Sequence, residues 1–418
     1  MRQFKTAKVT FFLKNYSSAI GNVRIIVFLL FCTAIYTIHL NSIPVTLHSD
    51  EVDVIKQATR LLSQGAGIFD IGYYNLPIIS YFPHAFFIWL LKDNLIGNRL
   101  GSVVFGLLTL PLFYLLVKLL FAKRVAWVAT ILLGTSHLWV SLSRFGFMYV
   151  QAAFLFVASL YFTLNGLYKG RIIDIIIGGG FLGLCFYSYF AARIAPFVLI
   201  PYFLLFILTN NKEGGSFKGL KKGILLLTIF LFSAGLVFLP QWLSFLQKPG
   251  SFNSRVNEVF VFSKTGMDWI SNRPFLNIIS SQTEQTLNIF AGDKSSQYGY
   301  RGQLIDYVTL LLFIGGIVYA FKLSSLNFVL ISSWLLLALL GQILTIAPVP
   351  IFVPRFVVGL PVFFIFCALG LELFTQTLNK YKSVFPITIL ILLSYVILFN
   401  LHTYFIEYPQ QESIIQNK

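Results

Sequence analysis

The chain has 418 residues, of which 57% are hydrophobic and only 11% charged. Apolar runs of about twenty residues recur along it, which excludes a soluble globule or a disordered chain and reads as an all-α polytopic membrane protein. The net charge of +16 would point to nucleic acid in a soluble domain, but here Lys and Arg gather in loops, where they set topology and meet anionic lipid.

Taken in order, the first apolar run, near Ile25–Leu40, has no small-residue cleavage site after it and reads as a retained span. Spans are predicted at 23–40, 99–119, 125–142, 149–167, 172–191, 194–209, 223–242, 304–321, 326–346, 356–374 and 384–402. That makes eleven. The segment LPIISYFPHAFFIWLL at 76–91 holds Pro83 in its middle and is short for a crossing, so it is placed in the interface. With the N-terminus inside, the inner loops then hold Lys118, Lys123 and Arg124, Lys169 and Arg171, a cluster from Lys212 to Lys222, Lys322, and Lys380 with Lys382. Short loops dense in cations are what the positive-inside rule asks for. Of the fifteen acids, only Asp174, Glu213 and Glu372 fall inside. The chain is thus a single membrane domain, 1–418, with two large outer loops at 41–98 and 243–303. The first loop reads as amphipathic helices lying on the membrane. Cys32, Cys185 and Cys367 all fall in apolar runs, so no disulfide framework is implied.

The first outer loop carries PVTLHSDEVDVIKQATRLLSQG, with Asp50, Glu51 and Asp53 close together. Ser49 and Asp50 suit the N-cap of a helix. A carboxylate near apolar surroundings is also a candidate general base or metal ligand. His48 and His84 would join Asp50 around a divalent metal, though their spacing matches no metal motif. Four arginines sit at outer span ends: Arg144 in SLSRFGFMYV, Arg193 in FYSYFAARIAP, Arg301 in SQYGYRGQLIDY and Arg355 in IAPVPIFVPRFVVGLP. Each fits a side chain snorkelling to headgroups. Four at one face, with acids opposite, also fit an anionic ligand, because guanidinium matches phosphate with two parallel hydrogen bonds. Tyr187, Tyr189, Tyr298 and Tyr300 flank them and suit an interfacial aromatic belt.

LHSDEV, SRFGF, YSYFAARIAP, SFNSRVNEVFVFS, TLNIFAGDKSSQYGYRGQLIDY and PRFVVGLPVFFIFCALGLEL, in that order, resemble the GT-C glycosyltransferases. More narrowly they resemble glycosyltransferase family 39, the bacterial relatives of protein O-mannosyltransferases and of the aminoarabinose transferases of lipid A. The likeness runs from about residue 20 to about 375. It implies a GT-C helical bundle in a bacterial cell membrane, with its active site on the outer face. It further implies transfer of a sugar from a polyprenyl-phosphate donor to a lipid, glycan or protein acceptor, with inversion. By the same resemblance Asp50 and Glu51 map onto the family's catalytic acids. Arg144, Arg193, Arg355 and Arg301, with Tyr189 and His84, stand as substrate-binding residues. The sequence departs from the family at Phe147, Met148 and Tyr149, where relatives often carry a carboxylate. The alternative reading is a lipid-linked-sugar flippase or another secondary transporter, whose marks would be mid-span charges and internal repeats.

Overall fold

A computed structural model describes residues 23–63, 65–212, 217–270, 274–291, 305–346, 353–378 and 385–410. Among these residues the chain is helical, with two isolated antiparallel bridges and no longer strand. Seven helices among the described residues are long and apolar enough to cross a bilayer, from Asn94–Leu120 to Ile387–Gln410. The chain is an integral membrane protein. Its outward faces carry Leu30, Phe232, Leu311 and Leu398, apolar where a water-facing helix would be polar.

The expected spans at 23–40, 172–191 and 304–321 appear as shorter helices, Val23–Thr37, Ile172–Cys185 and Tyr307–Ala320. Fourteen residues in each of the last two rise only about 21 Å, less than the ~30 Å hydrocarbon core. Length and composition therefore support seven spans, or eight with the bent pair described next, rather than establishing eleven. The expected straight span at 125–142 is broken. Lys123–Thr135 and His137–Arg144 meet at 56°, because the backbone nitrogen of His137 donates to Asn400 Oδ1 at 2.8 Å. A side chain from the C-terminal helix thereby takes over a bond that a continuous helix would make internally. The 76–91 segment forms a 3-10 turn and the ten-residue helix Phe82–Leu91, which has Pro83 in its first turn and is too short to cross. It packs on the Ser49–Ser63 and Asn94–Leu120 helices. Asp93 caps the latter, accepting from Ile96 N at 2.7 Å.

Tyr149–Lys169 and Leu360–Leu378 are the deeply buried staves of the bundle. Leu360–Leu378 lies against Tyr307–Ala320 at backbone contact. A Cβ on Gly316 would collide with the Phe366 carbonyl, and one on Gly370 with the Leu312 carbonyl. Small residues are what let helices approach this closely in lipid, where packing replaces the hydrophobic effect. Gly316→Val or Gly370→Val is expected to lower the Tm in detergent, at a cost of about 1–3 kcal/mol. Gly235→Ala, at a position where a Cβ meets nothing within 4 Å, should leave the Tm unchanged.

Candidate active site

Asp50 and Glu51 occupy the first turn of the Ser49–Ser63 helix. Neighbouring helical side chains diverge by about 100°, so the two acids reach different places. Glu51 turns inward and has no exposed surface. Its Oε1 accepts from Arg99 Nε at 3.0 Å and from Gly146 N at 3.0 Å, and its Oε2 accepts from Arg99 Nη2 at 3.2 Å. Arg99 in turn gives Nη1 to the Leu40 carbonyl at 2.9 Å. The arrangement needs glycine at 146, since a Cβ there would strike the Asn98 amide and come within 3.1 Å of Glu51 Oε1.

Asp50 instead faces a cavity of about 210 Å³. Its Oδ1 accepts from the Tyr73 hydroxyl at 2.8 Å and the Tyr74 hydroxyl at 3.4 Å, and its Oδ2 from the Tyr149 hydroxyl at 3.4 Å. The cavity is also lined by Tyr74, Tyr149, Tyr189 and three arginines, 193, 255 and 355, with an apolar wall that includes Phe190, Ile194, Val259 and Phe260. Each arginine rides on a short element: Arg193 on the 3-10 turn Phe190–Ile194, Arg255 on the helix Ser254–Val259, Arg355 on the 3-10 turn Val353–Phe356. The Arg193 guanidinium lies between the Phe190 and Phe252 rings at 4.5 and 4.3 Å and donates to the Phe252 carbonyl at 2.9 Å. Its buried Nε has no partner. Arg255 stacks on Tyr74 at 4.4 Å and pairs with Glu258 at 2.7 Å. Arg355 donates to the Thr345 carbonyl at 2.9 Å, and burial pushes its proton affinity down. Burial raises the Tyr189 phenol to about 12 even with Arg355 and Arg255 pulling the other way, so Tyr189 stays a neutral donor.

Of the residues singled out in the sequence, Asp50, Arg193, Arg355 and Tyr189 therefore share one cavity. Glu51 does not reach it. Nor does Arg144, which is fully buried. Its Nη1 and Nη2 donate to the carbonyls of Ile35 and Ile43 at 2.8 and 2.9 Å, and its guanidinium sits by the Tyr404 and Phe405 rings. Arg144 thus ties two backbone carbonyls outside the cavity of Asp50. His84 is also buried away from the cavity, with Nδ1 donating to the Asn98 carbonyl at 2.8 Å. Arg301 lies outside the described residues. Arg99 and Arg255 were not singled out in the sequence. Arg99 carries a charge at the mouth of an apolar run, itself a signal of a buried partner, and Arg255 stands within SFNSRVNEVFVFS. After SRFGF, where relatives often carry a carboxylate, the Tyr149 hydroxyl donates to Asp50 Oδ2 at 3.4 Å. Of the residues considered as metal ligands, His48 and Asp50 lie together and His84 does not join them. His48 Nδ1 accepts from the Asp50 backbone nitrogen at 3.2 Å and lies 3.8 Å from Oδ2. Among the described residues no third His, Cys, Asp or Glu joins them.

Residues 75–238 match the family described as dolichyl-phosphate-mannose-protein mannosyltransferase. No curated protein sequence matches the chain. Among solved structures, the chain is similar to ArnT from Cupriavidus metallidurans bound to undecaprenyl phosphate. The TM-score is 0.60 and the identity 14%, over 83% of this chain and 60% of ArnT. It is also similar to the archaeal oligosaccharyltransferase AglB from Archaeoglobus fulgidus, in complex with an inhibitory peptide and a dolichol-phosphate. There the TM-score is 0.60 and the identity 13%, over 93% of this chain and 55% of AglB. The chain thus spans little more than half the length of these proteins. The fold is the GT-C fold expected from the motifs, and the family match supports the PMT-like assignment.

The Glu51–Arg99 pair yields a stability test. Glu51→Gln or Arg99→Met leaves one charge buried without its partner and should cost about 3–5 kcal/mol, read as a Tm drop or loss of folded protein. The double variant Glu51→Gln with Arg99→Met should be less destabilised than the sum of the two.

Proposed function

We propose that the protein is a membrane glycosyltransferase that moves a sugar from a polyprenyl-phosphate carrier to a hydroxyl or amine acceptor. The observation that carries this reading is the single carboxylate of Asp50 sharing a small cavity with three guanidinium groups. ArnT with undecaprenyl phosphate and AglB with a dolichol-phosphate support a lipid-phosphate donor. The cavity is smaller than the ~300–1,000 Å³ common for drug-sized ligands, which favours one sugar residue over an oligosaccharide. The cation pattern of the loops supports an outer-face site with the N-terminus cytoplasmic, and the family resemblance supports a bacterial cell membrane.

Asp50 accepts the acceptor's proton as that atom attacks the anomeric carbon. The bond from that carbon to the phosphate oxygen breaks, and the electron pair leaves on polyprenyl phosphate. Arg355, Arg255 and Arg193 meet the growing phosphate charge where solvent screens it poorly. A single displacement inverts the anomeric centre. Glu51 takes no proton in this scheme. It is held by Arg99 and keeps Asp50 turned to the cavity.

The test is incubation of purified protein with a panel of undecaprenyl-phospho-sugars, scoring released undecaprenyl phosphate by mass spectrometry. One or more donors should be turned over. Asp50→Asn should lower kcat by roughly 10²- to 10⁴-fold, the range of general acid–base catalysis. Arg355→Ala should raise the donor KM. Donor crossing the bilayer of a vesicle without release of undecaprenyl phosphate would replace this reading with transport.

A further inference from the structure

The turn Tyr73–Asn75 touches both halves of the cavity. We infer that it positions the acid and a phosphate-side arginine relative to each other, with Tyr73 setting Asp50 and Tyr74 setting Arg255. This rests on the reading of Asp50 as the base and adds two residues that neither the motifs nor the family match distinguishes.

The turn is built tightly. Gly72 N donates to the Leu76 carbonyl at 2.8 Å, Ile78 N to the Asp70 carbonyl at 2.8 Å, and Asn75 N to the Gly72 carbonyl at 3.0 Å. The Tyr81 hydroxyl fixes it from below, donating to the Tyr73 carbonyl at 2.8 Å. Tyr74 and Asn75 both hold left-handed backbone, with φ of 53° and 56°. Two consecutive non-glycine residues rarely sit there, and such backbone persists where surrounding contacts over-determine it, often at functional sites. Here the contacts are at the site. Tyr73 donates to Asp50 Oδ1 at 2.8 Å, the shortest of the three tyrosine bonds to that carboxylate. Burial, the Tyr74 hydroxyl and Asp50 all raise the Tyr73 phenol far above its ordinary value, so it keeps the proton it donates. With Oδ1 held, Oδ2 is left as the oxygen toward Tyr149 and the cavity. The Tyr74 ring is the platform for the Arg255 guanidinium, and the Asn75 amide donates to Ser254 Oγ, on the residue before Arg255. This three-residue turn thus ties the first outer loop to the second.

Neighbouring residues should therefore fail in opposite ways. Tyr73→Phe should lower kcat about tenfold, the worth of one charge-assisted hydrogen bond. Its Kd for undecaprenyl phosphate alone should stay within about twofold of wild type. Tyr74→Leu should weaken undecaprenyl phosphate about fivefold, the scale of a lost cation–π contact. Arg255→Gln, which leaves the turn intact, should reproduce that loss even if Tyr74→Leu folds poorly. kcat is measured on the undecaprenyl-phospho-sugar turned over fastest in the panel, and Tm serves as the folding control. Wild-type kcat in Tyr73→Phe overturns the inference, and so does equal loss of kcat and affinity in that variant, or wild-type affinity in Arg255→Gln. Wild-type kcat in Asp50→Asn would instead remove the underlying reading of the base.

Discussion

A carboxylate and a guanidinium sealed from water must satisfy each other, and the pairing of Glu51 with Arg99 does so almost completely. Glu51 accepts from two Arg99 nitrogens and from the Gly146 amide, while Arg99 also reaches the Leu40 carbonyl. Four pieces of chain meet in that contact: the turn after the helix Val23–Thr37, the start of Ser49–Ser63, the helix Asn94–Leu120 and the turn after Arg144. Because Asp50 directly precedes Glu51, locking one acid inward directs the other to the cavity. A buried pair of this kind gives weak net stability but is costly to break, which suits a device that specifies orientation.

Beneath it, Arg144 repeats the same logic with neutral partners. It joins the carbonyls of Ile35 and Ile43 and sits against Tyr404 and Phe405 of the last helix. That helix carries a π turn over Thr403–Glu407, reaches the Val45 backbone nitrogen through the Tyr408 hydroxyl, and meets the bend between Lys123–Thr135 and His137–Arg144 through Asn400. The C-terminal helix is thus part of the support for the segment that carries Asp50. The cavity's arginines, by contrast, stand on short turns and helices above the long staves, positioned by a rigid scaffold as binding residues on loops commonly are.

Hydropathy and the order of motifs made the membrane class and the GT-C bundle legible, because lipid imposes one solution on backbone polarity and so on sequence. The shortness of 76–91 was equally readable, and Pro83 proved to start its helix instead of breaking it. The different surroundings of Asp50 and Glu51 were not readable, since adjacency in sequence carries no sign of which side chain finds a partner. The surroundings of Arg144 were hidden for a related reason. An arginine at a span end looks the same whether it binds phosphate, snorkels or ties off two carbonyls, and only its partners tell these apart. The bend at Ser136 depends on Asn400, which is remote in sequence, and no local pattern announces it.

The most direct test is a structure of the protein with undecaprenyl phosphate bound. The expected result places the phosphate in the cavity of Asp50, with Arg355 and Arg255 nitrogens about 3 Å from its oxygens and the Asp50 carboxylate still held by Tyr73. A phosphate bound outside that cavity, or at Arg144 in place of the carbonyls of Ile35 and Ile43, would contradict the assignment of the site.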